Sequence, residues 1–152
     1  MTRNIAYCTL IACGVVVIVL AAAAPNVLSD ANPFAKELLS SSILNVLGVI
    51  LAITLASAGQ LHLAFNQIEE RYKQKGLTKT RGSVKSAAFA LIKLFAAALA
   101  LVVLKPLLAT APWSQTIFNG LGIVVIVWNI LILIDLTQTI FAIKPDIEGD
   151  AS

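Results

Sequence analysis

Apolar residues along this chain gather into four long runs, at residues 5–24, 38–65, 86–111 and 117–143. A hydrocarbon core of about 30 Å is crossed by about 20 apolar residues in helical form, and each run reaches that length. Strands of a membrane barrel would alternate apolar and polar positions with a period of two; these runs are continuous and too long for that. The pattern predicts an all-α fold, a polytopic four-helix transmembrane bundle, with residues 1–152 making one integral membrane domain. Residues 66–85 form a basic loop between the second and third spans, and residues 144–152 a short acidic tail.

Polar and helix-breaking residues set the boundaries of the runs. Pro25 closes the first. Asn32 followed by Pro33 reads as a helix start, with Asn as N-cap and Pro at the first helical position, so the second helix begins ahead of the membrane. At its far end the sequence stays compatible with helix over 65–75, Glu69 and Lys73 are spaced i,i+4, and Gly76 is the expected stop. Ser83 is the expected N-cap of the third helix, and Pro106 is expected to kink it near its end. The tight link through Ala111, Pro112, Trp113 and Ser114 folds the third and fourth helices into an antiparallel hairpin. The first run is long for the apolar part of a signal peptide, and Pro25 stands beside the cleavage position that Ala21 to Ala24 would offer, so the segment is read as retained.

Composition narrows the class. Hydrophobic residues are 59% of the chain and charged residues only 12%, where soluble domains carry about 25%. That excludes a disordered chain, a coiled coil and an ordinary soluble enzyme. The net charge is +3, and six of the eleven cations (Arg71, Lys73, Lys75, Lys79, Arg81 and Lys85) fall in one short stretch. Such clustering marks a cytoplasmic loop. With the N-terminus inside, Arg3, these six and Lys144 lie on the cytoplasmic side, and only Lys36 lies outside. The chain is therefore expected in a cell (inner or plasma) membrane, N-in and C-in. The loop cations are assigned to topology and to anionic lipid headgroups of the bilayer. With no aromatic interleaving beyond Tyr72, nucleic acid is not an expected partner.

Charges inside the spans carry the functional interest, because each costs at least about 2.5–3.5 kcal/mol near the membrane centre. Lys93 lies seven residues inside the third run, and Asp135 lies eight residues from the end of the fourth. Counted from those ends both reach a depth of about 10–12 Å. An intramembrane ion pair across the hairpin is expected, serving either the fold or a gate. Lys93 shares its helix face with Ala90, Ala96, Ala97 and Ala100, small residues that let helices approach closely. On the second helix Asn45, Gly48, Ala52, Ala56 and Gly59 make a comparable face, for packing inside the monomer or for self-association. Asn129, near mid-membrane, needs a partner across a helix interface. Lys105 either snorkels to the outer surface or meets Asn45.

Catalytic, metal and cofactor chemistry is not expected. His62 is the single histidine. Cys8 and Cys13 point about 140° apart on a helix and cannot bridge one another. There is no Gly-rich phosphate loop and no Ser–His–Asp set. Four spans with one acid in the last superficially resemble the proton-translocating proteolipids of rotary ATPases. The Gly-rich packing helices of that family are not matched by a chain with eight glycines, and no family is assigned. Two functions remain. One is a non-catalytic accessory, regulatory or interaction subunit that self-associates or binds a larger membrane protein. The other is an oligomeric channel or permeabilising effector for ions or small solutes.

Overall fold

The computed structural model describes residues 3–72 and 78–141. In chain order it holds α1 (Arg3–Ala23), α2 (Pro25–Leu28), α3 (Pro33–Leu38), α4 (Ser41–Tyr72), α5 (Thr78–Leu108) and α6 (Pro112–Phe141), with no strand among the described residues. The long helices α1, α4, α5 and α6 each contain a stretch long and apolar enough to cross a membrane. In hydrocarbon every backbone polar group must be bonded within its own segment, which a continuous helix achieves.

The helix boundaries depart from the sequence pattern at the polar ends. Asn32 does cap α3, its side-chain oxygen accepting from the Phe34 N–H at 3.0 Å. That helix does not continue into the second span. It stops at Leu38, and α4 restarts three residues later, where the Ser40 hydroxyl accepts from the Ser42 N–H at 3.2 Å. Ser83 is not an N-cap, because α5 already begins at Thr78, and α6 begins at Pro112 rather than at 117. The 66–85 loop is thus mostly helix. Residues 73–77, Gly76 included, lie outside the described residues, as do the end of the fourth run and the tail from 144. Pro106 sits inside α5, which runs on to Leu108 without a break. Polar residues do not end a helix unless they offer the backbone a better partner.

Helix α1 packs on α6, α6 on α5 and α5 on α4, while α1 and α4 do not pack together. The bundle is therefore an open row, not a closed ring. Two glycines two residues apart, about 200° around the helix, let α6 sit in the middle. A Cβ at Gly120 would lie 2.2 Å from Val17 Cγ1 on α1, and one at Gly122 would lie 2.8 Å from Leu39 Cδ1 on the opposite side. The row closes up at one end, where Leu39, Ile43 and Leu47 join Leu94 and Ala98 of α5 and Val125 of α6 in one cluster. We call this the capped end, because residues 25–40 fold over it. The other, basic end carries the start of α1, the end of α4, the start of α5 and the end of α6.

The rest of the row is apolar and uncovered. Ile11, Val15, Ile18, Val49, Ile53 and Leu107 are among many large hydrophobic side chains left exposed. Exposed apolar surface on this scale is unsuited to water and matches hydrocarbon.

Candidate functional site

The capped end holds a polar network that the sequence pattern did not reveal. Lys105, near the end of α5, is 8% exposed, and its ammonium lies 2.7 Å from Asp30 Oδ1. Neither expected outcome for Lys105 holds: it does not snorkel free, and its partner is Asp30 rather than Asn45. The Asn119 amide on α6 donates to the same carboxylate oxygen at 3.1 Å and to the Leu28 carbonyl at 2.6 Å. The Asp30 N–H donates to Gln115 Oε1 at 3.1 Å, and the Thr116 hydroxyl hydrogen-bonds the Pro25 carbonyl. Gln115, Thr116 and Asn119, close together near the start of α6, thus bind the backbone of residues 25–30. The Leu28 carbonyl and the Asp30 N–H, at and just past the end of α2, gain their partners from α6 side chains, while the Pro25 carbonyl also accepts the Ser29 N–H.

The electrostatics of Asp30 follow from this setting. Partial burial opposes its ionisation, yet the hydrogen bonds from Lys105 and Asn119, with the nearby charges of Lys105 and Lys36, outweigh burial and hold its carboxyl below the ordinary value. A carboxylate accepting charged and amide donors is stabilised in its ionised form. Asn119 itself is 0% exposed, and its Oδ1 accepts no hydrogen bond.

The residues assigned from sequence fall elsewhere. Lys93 and Asp135 do not form an ion pair: both side chains are exposed, and ion pairs among the described residues are Lys105–Asp30 and Arg81–Glu69. The reason is register. The hairpin turns at Leu108 and Pro112. Lys93 lies 15 residues from that turn and Asp135 lies 23, so they differ in depth by about 12 Å at 1.5 Å per residue. Counting from the apolar runs missed this, because α5 extends eight residues beyond its run at the basic end.

On α4, Gly48 contacts Phe95 of α5, at 3.6 Å from where its Cβ would stand, but Asn45, Ala52, Ala56 and Gly59 are exposed. The small-residue face is therefore not the packing face of the monomer; Ile43, Leu47, Thr54 and Phe65 are buried instead. The second such face, Lys93, Ala96, Ala97 and Ala100 on α5, is exposed as well, with Ala90 half-buried. Asn129 is 2% exposed as expected, but its Oδ1 accepts no hydrogen bond across any interface.

Among the loop cations, Arg81 is not free for headgroups. Its guanidinium donates to Asn66 Oδ1 at 2.9 Å and to Glu69 Oε2 at 3.1 Å, tying α5 to α4. Glu69 therefore serves Arg81. Lys85 is exposed. Lys73 and Lys75 lie outside the described residues, as do the side chains of Arg71 and Lys79. Cys8 and Cys13 are free thiols, and His62 is exposed.

At the basic end a crevice of about 400 Å³ opens over α6 between α1 and α5. Tyr7, Leu10, Ser83, Ser86 and Trp128 line it, and Asp135 is its one charged lining residue. A second groove, of about 430 Å³, lies between α1 and α6 toward the capped end and is apolar, with Val17, Ile18, Trp113 and Ile117 among its walls. No protein-family model matches this chain, and neither a curated protein nor a solved structure is found to be similar to it.

Proposed function

We propose that this chain is a multi-pass inner-membrane protein acting as a non-catalytic interaction subunit, with its basic end and both termini in the cytoplasm. The observation that carries the reading is the exposure of Lys93 on the outer face of α5. Lys93 is the central residue of that helix, eight residues from Lys85 and twelve from Lys105. A charge at such depth facing lipid costs at least about 2.5–3.5 kcal/mol, and charges of this kind usually face protein or a water-filled cavity. Ala96, Ala97 and Ala100 flank it and permit close approach of another helix. A second copy or a larger membrane protein lying on this face would bring polar groups to Lys93. The exposed face of Asn45, Ala52, Ala56 and Gly59 on α4 offers a second contact of the same kind.

Orientation rests on charge. The start of α1 with Arg3 and the part of α5 with Arg81 and Lys85 lie at one end, and cytoplasmic ends carry the excess of Lys and Arg. Exposed cations there, Lys85 foremost, would meet anionic headgroups.

The test is the mass of the intact protein in a mild detergent or a lipid disc. The reading expects a dimer or larger assembly, or co-purification with one larger membrane protein, and a shift toward the single chain on Ala97→Trp. A lone monomer unaffected by Ala97→Trp contradicts it. The alternative, an oligomeric conduit for ions or small solutes, draws on the same face, since copies joined there would bring Lys93 toward a shared axis. It expects ion flux in liposomes that Lys93→Ala or Asp135→Asn changes.

A further inference from the structure

The crevice at the basic end holds one charged lining residue, Asp135, among mostly apolar walls. Its floor is α6, contributing Trp128 and Asp135. Its flanks are α1, with Tyr7 and Leu10, and α5, with Ser83 and Ser86. The volume of about 400 Å³ falls within the range of small-ligand sites, about 300–1,000 Å³. Such sites are mostly apolar with a few polar groups that fix orientation, and this one has that composition.

The occupant follows from charge and place. Asp135 is the one charged lining group, and an anion demands a cation. Tyr7, Ser83 and Ser86 supply neutral polar groups to the same crevice, and Trp128, about 10 Å along α6 from Asp135, adds apolar wall for a tail. The remaining wall is hydrocarbon. The crevice opens on the flank of a helix row that is apolar throughout, so its occupant arrives from the lipid phase. The companion groove between α1 and α6 has similar volume without a charged lining residue, and it has no means of selecting a charged head. We infer that the α1–α5–α6 crevice is a binding site for an amphiphilic cation, a molecule with a protonated amine head on an aliphatic tail, held by Asp135. This goes beyond the association proposed for the α5 face and does not depend on it.

The surroundings make the preference diagnostic. Lys85 is exposed on α5 near the crevice, and Lys93 follows Ser86 on nearly the same helix face, about 10 Å further along. These nearby cations favour anions, and among the residues lining the crevice Asp135 alone favours a cation.

The experiment uses the full chain in phosphatidylcholine discs, with Trp113→Phe leaving Trp128 as the single tryptophan of the original two. Dodecylammonium, dodecanol and dodecyl sulfate are titrated while Trp128 emission is read. The expected result is a saturable change with dodecylammonium, at a half-saturation at least tenfold below that of dodecanol. Asp135→Asn should bring the two together, Asp135→Glu should keep them apart, and Ser86→Leu should weaken both by filling the crevice. Equal half-saturations for amine and alcohol, tighter binding of the sulfate, a preference that survives Asp135→Asn, or a response that never saturates would each overturn the assignment.

Discussion

Lys105 and Asp30, 75 positions apart in the chain, meet at 2.7 Å at the capped end, and through them residues 25–40 are fastened to α5 and α6. Removing one partner leaves the other partly buried without compensation, which costs more than removing both. Asp30→Ala should destabilise the protein by about 2 kcal/mol, below the 3–5 kcal/mol of fully buried pairs because Asp30 keeps access to water. Asp30→Ala combined with Lys105→Leu should recover most of that loss. Unfolding in detergent, followed for both singles and the double, checks it; additive losses would refute the pairing.

The same network gives a pH dependence with a definite sign. The Asp30 carboxyl is held below its ordinary 3.8. Its contribution is therefore complete above that value and disappears as pH falls through the lower native one. Wild type should lose its stability advantage over Asp30→Asn progressively as pH falls below 3.8. Paired melting curves across that range measure it, and a constant gap would exclude the carboxylate as the source.

Gly120 and Gly122 should respond differently to the same substitution. An alanine Cβ at 120 meets the short, branched Val17 at 2.2 Å, whereas at 122 it meets the movable tip of Leu39 at 2.8 Å. Overpacking against a stiff neighbour costs about 1–3 kcal/mol. Gly120→Ala should therefore loosen α1 from α6, while Gly122→Ala costs less than about 1 kcal/mol. Thermal midpoints of the two variants decide the order.

Asn129 buries an amide whose oxygen accepts no hydrogen bond. Replacing such a group with an apolar residue of similar size is near neutral or stabilising. Asn129→Leu should hold or raise the melting midpoint. A loss above about 1 kcal/mol would mean the oxygen is satisfied in the membrane, for which a partner subunit is the natural source.

Helix number and class were legible because each span announces itself through unbroken apolar length. The Asn32 cap was legible because its signal is local. The ion pairs were not. Asp30 lies in irregular chain with no periodicity to place it, and its partner stands 75 residues away. The one available hint was that Asp30, in the link after the first run, and Lys105, near the far end of the third, fall at the same end of the molecule. Lys93 and Asp135 were paired by counting from hydrophobic edges, yet depth is set by the hairpin turn, and α5 extends past its apolar run to Thr78. Likewise, spacing found the small-residue stripes on α4 and α5 but not their direction. Which face turns inward is decided by where Ile43, Leu47 and Leu94 find partners.

The central claim, that the Lys93 face of α5 is covered by another protein in the membrane, is measured most directly by photo-crosslinking in membranes of the cells that make the protein. A benzophenone side chain is placed at Ala97, beside Lys93, or at Ile18 of α1, which is also exposed. The account predicts one discrete protein adduct from position 97, of twice the 16.1 kDa chain mass for a second copy or of larger defined mass for a partner, and none from position 18. Position 97 yielding no protein adduct, as a lipid-facing site would, contradicts it.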